Sequence, residues 1–162
     1  MLLRLIYRAA LSGFIMLLSL ENAFEAFGFK SGISKKQAES KIIEYALGDI
    51  QWMGKSSDPS LVVKKHDNSF FVFNFCNDSL FDVGQSFPRN FEKLSGFVDM
   101  TIKKFGQPMH VSASGGMDAN GFVRPINLYW KLNEKGFLRI MQLDEEYTIA
   151  YETKNECVKV PR

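Results

Sequence analysis

Residues 61–83 read LVVKKHDNSFFVFNFCNDSLFDV, and this stretch decides the fold class. Two turn-forming groups, His66-Asp67-Asn68 and Asn77-Asp78, divide it into Leu61 to Lys65, Ser69 to Cys76 and Ser79 to Val83. Short runs of β-branched and aromatic residues joined by such tight turns make an antiparallel meander. The middle run carries Phe70, Phe71, Val72, Phe73 and Phe75, apolar on both faces. It is expected to be a central strand, covered on both sides for most of its length.

Upstream, Gly32-Ile33-Ser34-Lys35-Lys36-Gln37-Ala38 reads as a helix start, with Ser34 as cap and Gln37 completing a capping box. The helix is predicted to run to Leu47 and stop at Gly48, burying Ala38, Ile42, Tyr45 and Ala46. Downstream, Pro88 to Phe105 reads as a second helix with Phe91, Leu94, Val98 and Ile102 on one stripe, ended by Gly106 and Pro108. From Met109 to Pro125 the composition turns to Ser, Gly, Ala and Asn, which reads as a long mobile loop. Three more strands are expected near Ile126 to Leu132, Phe137 to Leu143 and Tyr147 to Thr153. The predicted class is α+β: two helices packed on an antiparallel, meander-type sheet of about six strands. Helix and three strands then occur twice, the pattern of a worn α-β-β-β duplication.

The chain has 162 residues, enough for one domain with a sizeable core. Its 20 basic and 18 acidic residues contain no run of five like charges, which argues against nucleic acid as a partner. Arg4 and Arg8 precede an apolar stretch from Ala9 to Leu20, the order of a secretory signal. That stretch is shorter than the roughly 18–20 apolar residues of a membrane span. We therefore expect a signal peptide over 1–26, a single domain over 27–162, and no membrane span in the mature chain. Cutting after Ala23 or Ala26 puts Glu21 or Phe24 at the minus-three position, so a retained anchor is the alternative. Two cysteines in an exported chain, Cys76 and Cys157, are most simply one disulfide.

The helix start at 32–38, the aromatic meander and the closing Tyr-rich strand resemble small exported bacterial domains of the BamE/SmpA and β-lactamase-inhibitor-protein type. The helix end usual in that group, an aromatic or aliphatic residue, Gly, any residue, then Pro, is absent at Leu47-Gly48-Asp49-Ile50 and present at Phe105-Gly106-Gln107-Pro108. The resemblance implies a scaffold or inhibitor rather than a catalyst. No Cys precedes Cys76, so anchoring through a lipid-bearing cysteine is not implied.

The chemistry-bearing residues are few. His66 and His110 are the only histidines, and His110 stands in a stretch with Ser112, Ser114 and Asp118. Groups crowded on one Gly-rich loop do not converge on a proton path as a triad must. Asp118-Ala119-Asn120-Gly121 lacks the alternating ligands and closing Glu of a calcium loop. No zinc spacing, phosphate loop or dinucleotide fingerprint is present, so no catalytic residue, metal or cofactor is assigned. In the second half, Arg139 and Met141 alternate with Leu138 and Ile140, and Tyr129 with Leu128 and Trp130. If helices cover one face only, Tyr129, Arg139 and Met141 lie on the other, where a partner would dock. The expectation is a periplasmic or secreted, non-enzymatic protein-binding or scaffold domain whose partner is another envelope protein. The alternative is a small-ligand-binding protein or hydrolase using the 109–125 loop.

Overall fold

The structure, a computed structural model, describes residues 22–53, 59–113, 116–118, 121–123, 126–142, 145–155 and 157, with only the backbone described for 116–118 and 121–123. The stretch Arg4 to Leu20 read as a targeting signal lies outside the described residues. A ribbon of β1 (Glu25–Ala26) and β2 (Phe29–Lys30) leads into α1 (Lys35–Glu44). Then come β3 (Asp49–Met53), β4 (Ser60–Lys64), β5 (Phe70–Cys76), β6 (Ser79–Pro88) and α2 (Phe91–Phe105). The second half continues with β7 (His110–Ala113), a small ribbon of β8 (Gly116–Asp118) and β9 (Gly121–Val123), then β10 (Ile126–Lys131), β11 (Gly136–Gln142) and β12 (Glu146–Thr153). The fold is α+β, with two helices and a main antiparallel sheet of eight strands in the order β3-β4-β5-β6-β12-β11-β10-β7.

Each half is thus a helix followed by four main-sheet strands, and the halves join through their last strands, β6 and β12. The expected six strands become eight because β3 and β7, the two sheet edges, were not read as strands. Both lack a clean apolar alternation: four of five β3 residues are exposed, and β7 falls within the stretch read as a loop. That loop reading is corrected, since 110–113, 116–118 and 121–123 are all strand. Pro88, read as the first turn of the second helix, instead closes β6, and Asn90 caps α2 by accepting from the Lys93 amide at 2.9 Å.

Both helices cover the same sheet face. One cross-strand row on that face runs Trp52, Leu61, Phe73, Val83, Tyr151, Leu138, Trp130. Under α1 the row joins Phe29, Phe71, Phe75, Ala38 and Ile42, and under α2 it joins Leu94, Ile140 and Ile149. Tyr151 and Leu132 belong to both clusters and make the layer continuous. Full burial of each large side chain here contributes about 1.5–3 kcal/mol. The Ser34 hydroxyl accepts from the Gln37 amide at 3.2 Å while Gln37 Oε1 accepts from Ser34 N–H at 2.9 Å, the expected capping box. The helix ends sooner than its periodicity implied, leaving Tyr45 and Ala46 exposed. At Gly48 (φ +147°) a Cβ would sit 2.2 Å from the Lys64 carbonyl, so only glycine lets the chain enter β3.

Cys76 and Cys157 form the expected disulfide, with Cα atoms 5.9 Å apart and a separation of 81 residues. Replacing both with serine is expected to lower the unfolding free energy by about 2–4 kcal/mol. Urea unfolding of the two proteins measures this, and coincident midpoints would show that the link does not constrain the unfolded chain.

Candidate functional site

The helix-free face presents three rows of side chains, fixed by the strand register. The first is Met53, Ser60, Asn74, Asp82, Glu152, Phe137, Lys131. The second is Gln51, Val62, Val72, Gly84, Ala150, Arg139, Tyr129, His110. The third is Asp49, Lys64, Phe70, Ser86, Thr148, Met141, Asn127, Ser112. Tyr129, Arg139 and Met141, the three residues singled out by sequence, do share this face, and Tyr129 stands directly opposite Arg139.

Small side chains occupy the centre of the face. Gly84 opposes Ala150, Ser86 opposes Thr148, and the two hydroxyls are 2.6 Å apart. Although both helices lie on the other side, Ala150 is 1% exposed and Ser86 3%.

Beside this floor is a buried charge cluster. Arg139 Nε lies 2.6 Å from Glu152 Oε1, without the alignment of a good hydrogen bond, and Arg139 Nη2 lies 3.7 Å from Asp82 Oδ2. Asn74 Nδ2 donates to Asp82 Oδ1 at 3.0 Å, and the Ser60 hydroxyl donates to Asn74 Oδ1. Burial pushes the Asp82 carboxyl above its usual range against the pull of Arg139 and Asn74. Burial also raises Glu152 to about 7, with Arg139 opposing and the adjacent Asp82 adding to the rise. For Arg139, burial works against the charge, but Glu152, Asp82 and the Tyr129 hydroxyl outweigh it and raise its pKa. Arg139 is therefore committed to two carboxylates, and of the other two half-buried candidates Tyr129 touches the cluster through Arg139 while Met141 stands outside it.

Asp82 and Glu152 were not singled out from sequence. The available signal was an acid amid apolar residues in each strand, Leu80-Phe81-Asp82-Val83 and Ala150-Tyr151-Glu152, which is a costly position unless a cation faces it.

The hydrolase reading finds little geometry. His110 and Ser112 are on the same face of β7, two positions apart, which separates them by roughly 7 Å along the strand. No hydrogen bond joins their side chains among the described residues, as a nucleophile and its base require. The His110 and Tyr129 rings have centroids 6.0 Å apart. Ser114 and the Asp118 side chain lie outside the described residues. Among the described residues no group of three or more His, Cys, Asp or Glu is placed to hold a metal ion, and no helix is long and apolar enough to cross a membrane.

Comparison with protein families, with curated proteins and with solved structures gave no significant match to this chain.

Proposed function

We propose that this protein is an exported, non-catalytic binding domain that holds another envelope protein against the β12–β7 side of its helix-free face. The observation that carries the reading is the chemistry of that area. Tyr129, Met141, Asn127, Thr148, Ser112 and His110 present aromatic, thioether, amide and hydroxyl groups, while Arg139 is turned to Asp82 and Glu152 and Lys131 pairs with Glu134 at 3.3 Å. Interface cores favour Tyr and Met and disfavour free Lys, Asp and Glu, and Ser, Asn and Tyr together make adaptable contact surfaces. Strand pairing on both sides of β10, β11 and β12 holds these groups in place before a partner arrives, which reduces the ordering cost of association. The disulfide is compatible with an oxidising compartment outside the cytosol.

The test is affinity capture of a partner from envelope extract, followed by measurement of that pair with purified proteins. Tyr129→Ala with Met141→Ala is expected to weaken binding by about 10- to 100-fold, as when two central contacts are truncated. The thermal midpoint of the double variant is expected to stay within a few degrees of the parent. Equal affinity of parent and double variant would remove this face from the account. A matching loss from Gln51→Ala with Val62→Ala, at the far side of the same face, would show that the binding area is not where we place it.

A further inference from the structure

The sheet face that carries the helices is not fully closed. Between the β1–β2 ribbon and α2 lies an open cleft of about 550 Å³, within the size range of small-molecule sites. Its floor is Phe87, Tyr147, Ile149 and Tyr151 from β6 and β12. One wall is Phe27 and the other is the side of α2 bearing Lys93, Gly96 and Phe97.

Two residues around this cleft are poor choices for the local backbone. Phe27 sits at φ +55° in the two-residue turn Phe27-Gly28, a left-handed conformation that suits Gly, Asn or Asp and strains a bulky side chain. The β5–β6 turn, with two positive φ values of its own, uses Asn77 and Asp78. Phe27 remains 36% exposed, its ring edge-on to Phe71 and Tyr151 at 5.3 and 5.7 Å. Gly96 stands in the interior of a 15-residue helix, where glycine is the poorest former after proline. A Cβ built on Gly96 would meet nothing within 4 Å, so packing within the chain does not require the glycine. Local choices that disagree with the fold concentrate where a protein has something to bind.

The charges select the ligand. Lys93 and Asp99 are the charged residues of the rim. Asp99 is neutralised by Lys103 one turn on, with Nζ and Oδ2 2.7 Å apart, whereas Lys93 faces no carboxylate within ion-pair distance among the described residues. Burial raises the pKa of the Tyr147 and Tyr151 phenols, which keeps both as neutral hydroxyls.

We infer that this cleft binds a free single-chain amphiphile with an anionic head, the apolar tail lying on Phe87, Tyr147 and Tyr151 and across Gly96, and the carboxylate at Lys93. The site is separate from the helix-free face and stands or falls independently of the partner proposed there.

The folded protein is titrated with laurate, with dodecyltrimethylammonium, and with vesicles of a diacyl anionic phospholipid, followed by calorimetry and by amide chemical shifts. Laurate is expected to bind, to shift the Gly96, Phe97 and Tyr147 amides, and to exceed the cation of equal chain length by at least about tenfold. Gly96→Leu fills the cleft while improving the helix. It is expected to raise the thermal midpoint by about 2–4 °C and to lower laurate affinity by at least about tenfold. Opposed changes of that kind cannot arise from unfolding. Equal binding of laurate and dodecyltrimethylammonium, unchanged laurate affinity in Gly96→Leu, or binding of vesicles without binding of laurate would each overturn the inference.

Discussion

Replacing Arg139 by methionine is expected to lower the unfolding free energy at pH 8 by about 3–5 kcal/mol, the usual effect of removing one partner from a buried ion cluster. Asp82 is 5% exposed and Glu152 7%, and they face each other across β6 and β12. Without the guanidinium, two carboxylates share a site with no cation to oppose them. The loss is expected to shrink at pH 5. In the native protein Glu152 is raised from 4.5 to about 7, so the folded chain holds this proton more tightly than the unfolded chain. Its contribution is complete below the unfolded value and fades as pH climbs through about 7, an effect of about 3 kcal/mol at most. The parent should therefore lose stability between about pH 4.5 and 7 from this group, and Glu152→Gln should flatten that slope. The groups facing Glu152 are Asp82 from β6 and Arg139 from β11, with Asn74 of β5 and Tyr129 of β10 behind them. Urea unfolding of the parent, Arg139→Met, Glu152→Gln and the double variant at both pH values measures the coupling. An Arg139→Met protein within 1 kcal/mol of the parent at pH 8 would show the cluster to be solvated.

Starting the chain at Phe27 instead of Asn22 is expected to cost about 3–5 kcal/mol, the range for losing a buried phenylalanine, or to prevent folding. The boundary expected at 26/27 falls inside the β1–β2 ribbon. Phe24 is 3% exposed and packs in the α1 cluster with Phe29, its ring centroid 6.4 Å from that of Tyr151. The Phe24 carbonyl accepts from Ser31 N–H at 3.1 Å, and Asn133 Nδ2 reaches the Ala23 carbonyl at 3.0 Å, tying this strand to the β10–β11 turn. Any processing that leaves this core intact cuts ahead of Ala23. Thermal unfolding of chains beginning at Asn22 and at Phe27 decides the point, and equal midpoints would show that residues 22–26 add nothing to stability.

Much of the middle of the fold was legible because its signals are local. Asn77-Asp78 marks a two-residue turn by its tolerance of positive φ, and Ser34 with Gln37 marks a helix start by the amides they satisfy. The alternation of β10 and β11 placed Tyr129, Arg139 and Met141 on one face correctly. The edges were not legible, because an edge strand has one neighbour and need not bury a full set of side chains. Nor was the charge cluster. β6 and β12 are far apart in the chain, and the position of Asp82 opposite Glu152 depends on a register that no local pattern specifies. The prediction that β5 is covered on both sides was also too strong. Phe71, Phe73 and Phe75 are buried toward the helices, while Phe70 and Val72, on the other face, are only half-buried.

The junction of the halves at β6 and β12 bears on how copies of the chain avoid one another. Two units of like element order, joined within the sheet through β6 and β12, can exchange that pairing between molecules, since β12 of one copy offers the same ladder to β6 of another. The Cys76–Cys157 link lies across this junction, joining the end of β5 to the chain just after β12. Once it closes within one molecule, opening of the β6–β12 ladder leaves the halves tethered, and re-pairing with itself outcompetes pairing with a stranger. Under reducing conditions that protection goes, and swapped dimers become the accessible error.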